Sequence, residues 1–171
     1  FKTKSLNTWL EEAKSQKKRK PILGSVIQSG ELVVFFADTG VGKTTFAYCV
    51  LYAITSNKMF LNLETTFFKS LYFDFELSSY SIYERFSNHT NGSIHQFNEN
   101  FIRAEINLDS VDLTDPLSGN FIIENIKNEI LTNDTQVVCI DNISFIATDN
   151  EKSRFATQLM KGLLQLTRKL G

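Results

Sequence analysis

The chain has 171 residues, a net charge of −1 and 42% hydrophobic residues, fifteen of them Phe, which gives one domain enough apolar material for an aromatic-rich core. That balance supplies no overall basic field for a nucleic-acid backbone, and no apolar run reaches the roughly 20 residues that span a bilayer. The two cysteines, Cys49 and Cys139, follow no metal-ligand or disulfide spacing, so they read as small buried hydrophobes in a reducing, cytoplasmic setting.

The chain opens on Phe1-Lys2-Thr3-Lys4-Ser5, which is polar and lacks the form of a secretory signal. A first residue other than Met leads to the expectation that sequence precedes it. Leu6 to Lys18 predicts a helix with Leu6, Trp9, Leu10 and Ala13 on one face, and Pro21 stops it. Lys14, Lys17, Lys18, Arg19 and Lys20 form a basic cluster that reads as a solvated helix end. Residues 1–20 are therefore a helix and linker, and 21–171 form the main domain.

Glu31-Leu32-Val33-Val34-Phe35-Phe36 follows Gly30 and predicts a buried strand. Next comes Ala37-Asp38-Thr39-Gly40-Val41-Gly42-Lys43-Thr44-Thr45. From Thr44 to Ser56, Phe46, Ala47, Val50, Leu51 and Ile54 recur at helical spacing. Strand, glycine-rich loop and helix are the context of a phosphate-binding loop, whose pattern is Gly, four residues, then Gly-Lys-Ser/Thr. Ala37 stands at the first glycine position. Such a loop turns backbone N–H groups inward around a phosphate, and the helix N-terminus adds partial positive charge. Lys43 is then the cation for the β- and γ-phosphates of ATP, and the Thr44 hydroxyl a ligand for Mg²⁺.

Asn57 to Lys69 is a polar and aromatic connection, and Ser70 to Glu76 predicts a second strand. Glu76 falls at its end, on the same side as Asp74 by the period of two. A carboxylate there can polarise a water for attack on a γ-phosphate, which makes Glu76 the candidate base. Glu64 is the rival, in a segment with no strand pattern. Asp74 reads as a mid-strand supporting group. Tyr80 to Phe86 predicts a short helix capped by Ser78 or Ser79. His89 and His95 fall in a polar loop, Asn88 to Asn100. Phe101 to Asn107 alternates like an exposed strand, and Asp109 to Gly119 reads as a loop.

Phe121 to Leu131 predicts a helix. Val137-Val138-Cys139-Ile140-Asp141 predicts a buried strand ending in a carboxylate, where open α/β sheets bind ligands. Asp141 is the candidate for orienting the Mg²⁺ water shell. Arg154 to Lys169 predicts an amphipathic helix with Phe155, Leu159, Leu163 and Leu166 inward. Strands alternating with helices give an α/β fold: a parallel sheet with crossover helices.

Taken together, the 37–45 loop, Tyr72-Phe73-Asp74-Phe75-Glu76-Leu77-Ser78 and Val138-Cys139-Ile140-Asp141-Asn142 resemble the ATPase core of the RecA/DnaB superfamily. The closest branch is that of the RepA-like replicative helicases and related AAA-type ATPases of bacterial mobile elements. The resemblance spans Gly24 to Gly171. It implies a RecA-like sheet, a Glu76 base, a homo-oligomeric ring, and DNA as a partner in replication or mobilisation. The DNA and ring readings come from the resemblance alone. The family carries a further strand, with a sensor residue, between the loop strand and the Asp141 strand, followed by a DNA-binding region and an arginine finger. None of these is in the sequence, so the chain is expected to be incomplete after Gly171, and strands 31–36 and 137–141 are expected not to pair directly. Two alternatives stay open. A small-molecule or nucleotide kinase uses the same loop, but needs an arginine-bearing lid, and Ser87 to Asn100 holds no arginine. A non-motor switch or assembly ATPase shares every motif read here.

Overall fold

The computed structural model describes residues 1–16, 18–105, 118–142 and 152–170. Helix α1 spans Leu6–Lys14, with the Ser5 side chain accepting from the Thr8 N–H. This cap satisfies one of the N–H groups that a helix start leaves open. The helix ends four residues before the predicted Lys18, and none of its residues is buried. Pro21 does not stop it. Instead Pro21 opens β1 (Pro21–Leu23), which pairs antiparallel with β2 (Ile27–Gln28). A proline tolerates the first position of a strand because it need not donate there. The sequence reading contained no hairpin at this point.

Helix α2 spans Lys43–Ser56 and ends at Asn57 in the left-handed conformation. Strand β3 (Ser70–Asp74) is followed by α3 (Ser79–Phe86), whose cap is Ser78, accepting from the Ser81 N–H. Then come β4 (Phe101–Glu105), α4 (Ser118–Asn133), β5 (Val137–Asp141) and α5 (Lys152–Leu170). The sheet is parallel, in the order β4-β3-β5. Its register pairs Ser70 with both Phe101 and Val137, and Asp74 with both Glu105 and Asp141. The α/β parallel sheet with helices follows the expectation. The predicted strand extension at residues 106–107, residues 109–117 of the predicted loop and the Phe155 side chain lie outside the described residues; Ser118 and Gly119, expected in that loop, instead open α4.

Two cores flank the sheet. On one face Leu71, Phe73 and Phe75 pack with Ile122 and Ile126 of α4 and Leu159, Leu163 and Leu166 of α5. On the other, Tyr72 packs with Tyr48, Val50, Leu51 and Ile54 of α2 and with Ile22 and Leu23 of β1. The alternation of Leu71, Tyr72 and Phe73 sends successive side chains to opposite layers. Parallel strands covered by helices on both faces are buried throughout, and every residue of β3 is buried.

One expected strand does not form. Among the described residues, Glu31 to Phe36 joins no ladder and does not hydrogen-bond to β5. Leu32 packs on the core, whereas Val33, Val34, Phe35 and Phe36 are exposed. An apolar, β-branched run has strand propensity, but a strand exists only through its neighbour's N–H and C=O groups. Phe35 instead stacks on Phe46 of α2, with ring centroids 4.8 Å apart. Cys49 also departs from expectation: it is exposed on α2, between the buried Tyr48 and Val50, and Cys139 is half-buried.

Ile126 has 0% exposure at the centre of the α4 layer. Ile126→Ala is expected to lower unfolding stability by about 2–5 kcal/mol through lost burial and the cavity left behind. Urea unfolding followed by circular dichroism measures the change.

Candidate functional site

The loop between residue 36 and α2 is shaped by two glycines. Gly40 has φ +81° and Gly42 φ +91°, a region that side chains rarely enter. No atom lies within 4 Å of a Cβ placed on either, so the demand for glycine is conformational rather than steric. Gly42 is the N-cap of α2 and has no side-chain cap bond. The first N–H groups of α2 therefore face an exposed loop, with the partial positive charge of a helix start. Ala37, Asp38, Thr39, Gly40, Val41, Gly42 and Thr45 are exposed, and Lys43 and Thr44 are half-buried.

Lys43 turns back over this loop. Its Nζ donates to the carbonyl oxygens of Ala37 at 2.7 Å and Asp38 at 2.8 Å. The ammonium is thus held above the loop, where a phosphate oxygen would offer it a stronger, charge-assisted bond than either carbonyl.

Thr44 and Asp141, far apart in sequence, meet. The Thr44 hydroxyl donates to Asp141 Oδ2 at 2.7 Å. Asp141 is the last residue of β5, so this bond ties the first turn of α2 to the carboxyl end of the sheet. The same Oδ2 accepts from the Tyr72 hydroxyl at 2.6 Å. Burial, and then the bond to Asp141, push the Tyr72 phenol far above its ordinary range, so Tyr72 stays a donor at any working pH. Burial and the Asp141 charge likewise raise the Cys139 thiol to about 12, which leaves it neutral and unreactive.

Glu76 lies two residues beyond the end of β3 and is exposed, whereas Asp74 is buried. The expected period-two relation between them ends where the chain leaves the strand. The turn still stays beside the site, because the Phe75 N–H donates to the Asp141 carbonyl at 2.8 Å. Glu64 sits elsewhere: its carbonyl accepts from Gly24, next to the β1–β2 hairpin. His95 packs its ring against Tyr52 and Phe97.

Tyr72 and Arg103 were not picked out by sequence reasoning. Both carry a polar tip on a strand with a helical layer over each face. A buried polar tip must find a partner, and that requirement was the available signal.

The donor set suits a small hard cation. It offers one hydroxyl, Thr44, and one carboxylate, Asp141, joined at 2.7 Å. Among the described residues no group of three or more His, Cys, Asp or Glu converges. Mg²⁺ binds in this sparse way, completing its octahedron with water and substrate phosphate oxygens.

A family profile described as an AAA domain matches residues 2–171. The chain belongs to the AAA domain family. This AAA domain is therefore of the P-loop, nucleotide-binding ATPase type. Comparison with curated proteins and with solved structures finds no match. Among the described residues no helix is long and apolar enough to cross a membrane.

Asp141→Asn keeps an oxygen for Thr44 and Tyr72 but removes the charge. The Mg²⁺ concentration needed for half-maximal ATP turnover is expected to rise at least about tenfold, the usual scale for disturbing a metal's ligand sphere. Titration of Mg²⁺ in a phosphate-release assay measures it.

Proposed function

We propose that this AAA domain binds ATP on the 37–45 loop and hydrolyses it with Mg²⁺. The observation that carries the reading is the 2.7 Å bond from Thr44 to Asp141. It brings a hydroxyl at the head of the loop helix to a carboxylate at the sheet's carboxyl end, with the Glu76 turn beside them. In this reading the α2 N-terminal amides and Lys43 hold the β- and γ-phosphates. Mg²⁺, when bound, would supply positive charge against the charge developing on the phosphate oxygens. Thr44 and Asp141 would hold that ion, directly or through its water. Glu76, exposed at the turn, orients the attacking water and takes its proton as the bond from its oxygen to the γ-phosphorus forms and the bond from that phosphorus to the β–γ bridging oxygen breaks, its electron pair leaving with ADP. Phosphate and ADP leave.

The wider role rests on resemblance to the RecA/DnaB superfamily: a homo-oligomeric ring in the cytoplasm that moves DNA during replication or mobilisation of a mobile element. One observation favours it over a kinase. A kinase needs an arginine-bearing lid over the phosphates, and Ser87 to Asn100 holds no arginine. If the motor reading holds, single-stranded DNA is expected to raise ATP turnover several-fold. Unchanged turnover across a DNA titration, at low salt, would favour a switch or assembly ATPase.

Binding and chemistry separate by mutation. Lys43→Ala removes the loop's cation, and charge-assisted bonds contribute about 1.5–3 kcal/mol each. A fluorescent ATP analogue should therefore bind at least about tenfold more weakly. Glu76→Gln should keep that affinity and lose turnover by about 10²–10⁴-fold, while Glu64→Gln stays near wild type. Full turnover in Glu76→Gln would remove Glu76 from the mechanism.

A further inference from the structure

Glu76 stands in no regular element, yet a base must be held to within a fraction of an ångström. The contacts around its turn show what holds it. Asp74 Oδ1 accepts the backbone N–H of Glu76 at 3.1 Å and of Leu77 at 2.8 Å. Asp74 Oδ2 accepts Arg103 Nε at 3.1 Å. Arg103 Nη2 donates to the carbonyl oxygen of Leu77. Arg103 Nη1 donates to Glu105 Oε2 at 3.1 Å, and the Ser79 hydroxyl reaches the same oxygen at 3.1 Å.

The Asp74 side chain is 1% exposed and that of Arg103 21%. A carboxylate this buried is costly unless it is paired and fully hydrogen-bonded, and here it is both. An ion pair whose only task was to join β3 to β4 would need none of the bonds to the turn, because a five-residue parallel ladder already joins those strands. Three bonds instead end on the backbone of Glu76 and Leu77. The donor and the acceptor of Leu77 are both gripped, one by Asp74 and one by Arg103. This fixes the peptide units on the C-terminal side of Glu76, and with them the direction in which its side chain leaves. Ser79, the first residue of α3, is tied to the same system through Glu105.

We propose that Arg103 and Asp74 are positioning residues for Glu76: a guanidinium–carboxylate clamp, anchored on β4, that presents the base to the nucleotide. The proposal rests on the reading of Glu76 as the base. Neither residue touches substrate. Their effect is on the rate of the chemical step and not on nucleotide affinity.

The test uses the whole chain and four variants: Arg103→Met, Arg103→Lys, Glu76→Gln and the double variant R103M/E76Q. Steady-state and single-turnover ATP hydrolysis give kcat, a fluorescent analogue gives affinity, and thermal unfolding gives the folded fraction. Arg103→Met is expected to lower kcat about 10- to 100-fold, the scale for a displaced catalytic group, with nucleotide affinity within about twofold of wild type. Residues that act as a unit are non-additive. Arg103→Met should therefore cost nothing further in the Glu76→Gln background. Arg103→Lys retains a charge against Asp74 but not the three-way fork; it should remain folded and still lose turnover at unchanged affinity. If Arg103→Met does not accumulate as folded protein, Arg103→Lys alone and in the Glu76→Gln background carries the same comparison.

Three results would overturn the clamp. One is wild-type kcat in folded Arg103→Met or Arg103→Lys. Another is a loss that multiplies with that of Glu76→Gln. The third is a loss matched by the fall in folded fraction. Full turnover in Glu76→Gln alone is a different failure, which overturns the reading of the base and the clamp with it.

Discussion

Strand β3 is buried on both faces, and the arrangement of the site depends on that constraint. Ser70 to Phe75 are all buried. A two-sided strand must alternate its side chains between two helical layers. Leu71 and Phe73 go to α4 and α5, and Tyr72 goes to α2. Any polar atom on such a strand must be paired or it weakens the fold. Ser70 meets this demand by donating to the Phe68 carbonyl; Tyr72 and Asp74 meet it across the sheet end. Tyr72 donates to Asp141, and Asp74 takes Arg103 and two amides of the Glu76 turn. The bonds that satisfy these buried polar groups also fix the Glu76 turn and the Asp141 carboxylate.

The electrostatics follow from this placement. Tyr48, opposite Tyr72 at a ring-centroid distance of 4.5 Å, has its phenol raised to about 12, first by burial and then by the Asp74 charge. Burial works against the Arg103 charge, but the bonds to Asp74 and Glu105 more than offset it, and its pKa lies above the ordinary value. Glu105 is held below the usual carboxylate range by Arg103 and then Ser79. Arg103 and Glu105 thus each favour the other's charged form. Lys43 lies over the loop, which itself carries Asp38, and the Asp141 carboxylate at the sheet end is shared by two hydroxyl donors.

The opposite layer supplies rigidity. Helices α4 and α5 approach closely at Gly162, where an added Cβ would lie 2.1 Å from Ile123 Cδ1. Here glycine is needed for space, in contrast to Gly40 and Gly42, where it is needed for backbone conformation. Close packing on this side seats Leu159, Leu163 and Leu166 against the sheet.

From the sequence alone, periodicity determined most elements: α2, β3, α3, α4, β5 and α5 were all foreseen, with ends displaced by a few residues. The glycine-rich loop and the strand-end Asp141 were legible because their pattern is local: glycines that permit positive φ, a lysine at the helix start, a carboxylate where an apolar run stops; Glu76, expected at the end of β3, lies two residues beyond it. Three features needed the tertiary structure. The Glu31 to Phe36 run has strand composition but no partner among the described residues, and partnership is not a local property. The β1–β2 hairpin is too short to leave a pattern. The side-chain system of Tyr72, Asp74 and Arg103 joins residues that only sheet register brings together, 69 positions apart in one bond and 29 in another. A sequence shows which residues can donate, accept or carry charge. Which of them share a buried face is decided by strand order and register, and these arise from long-range pairing.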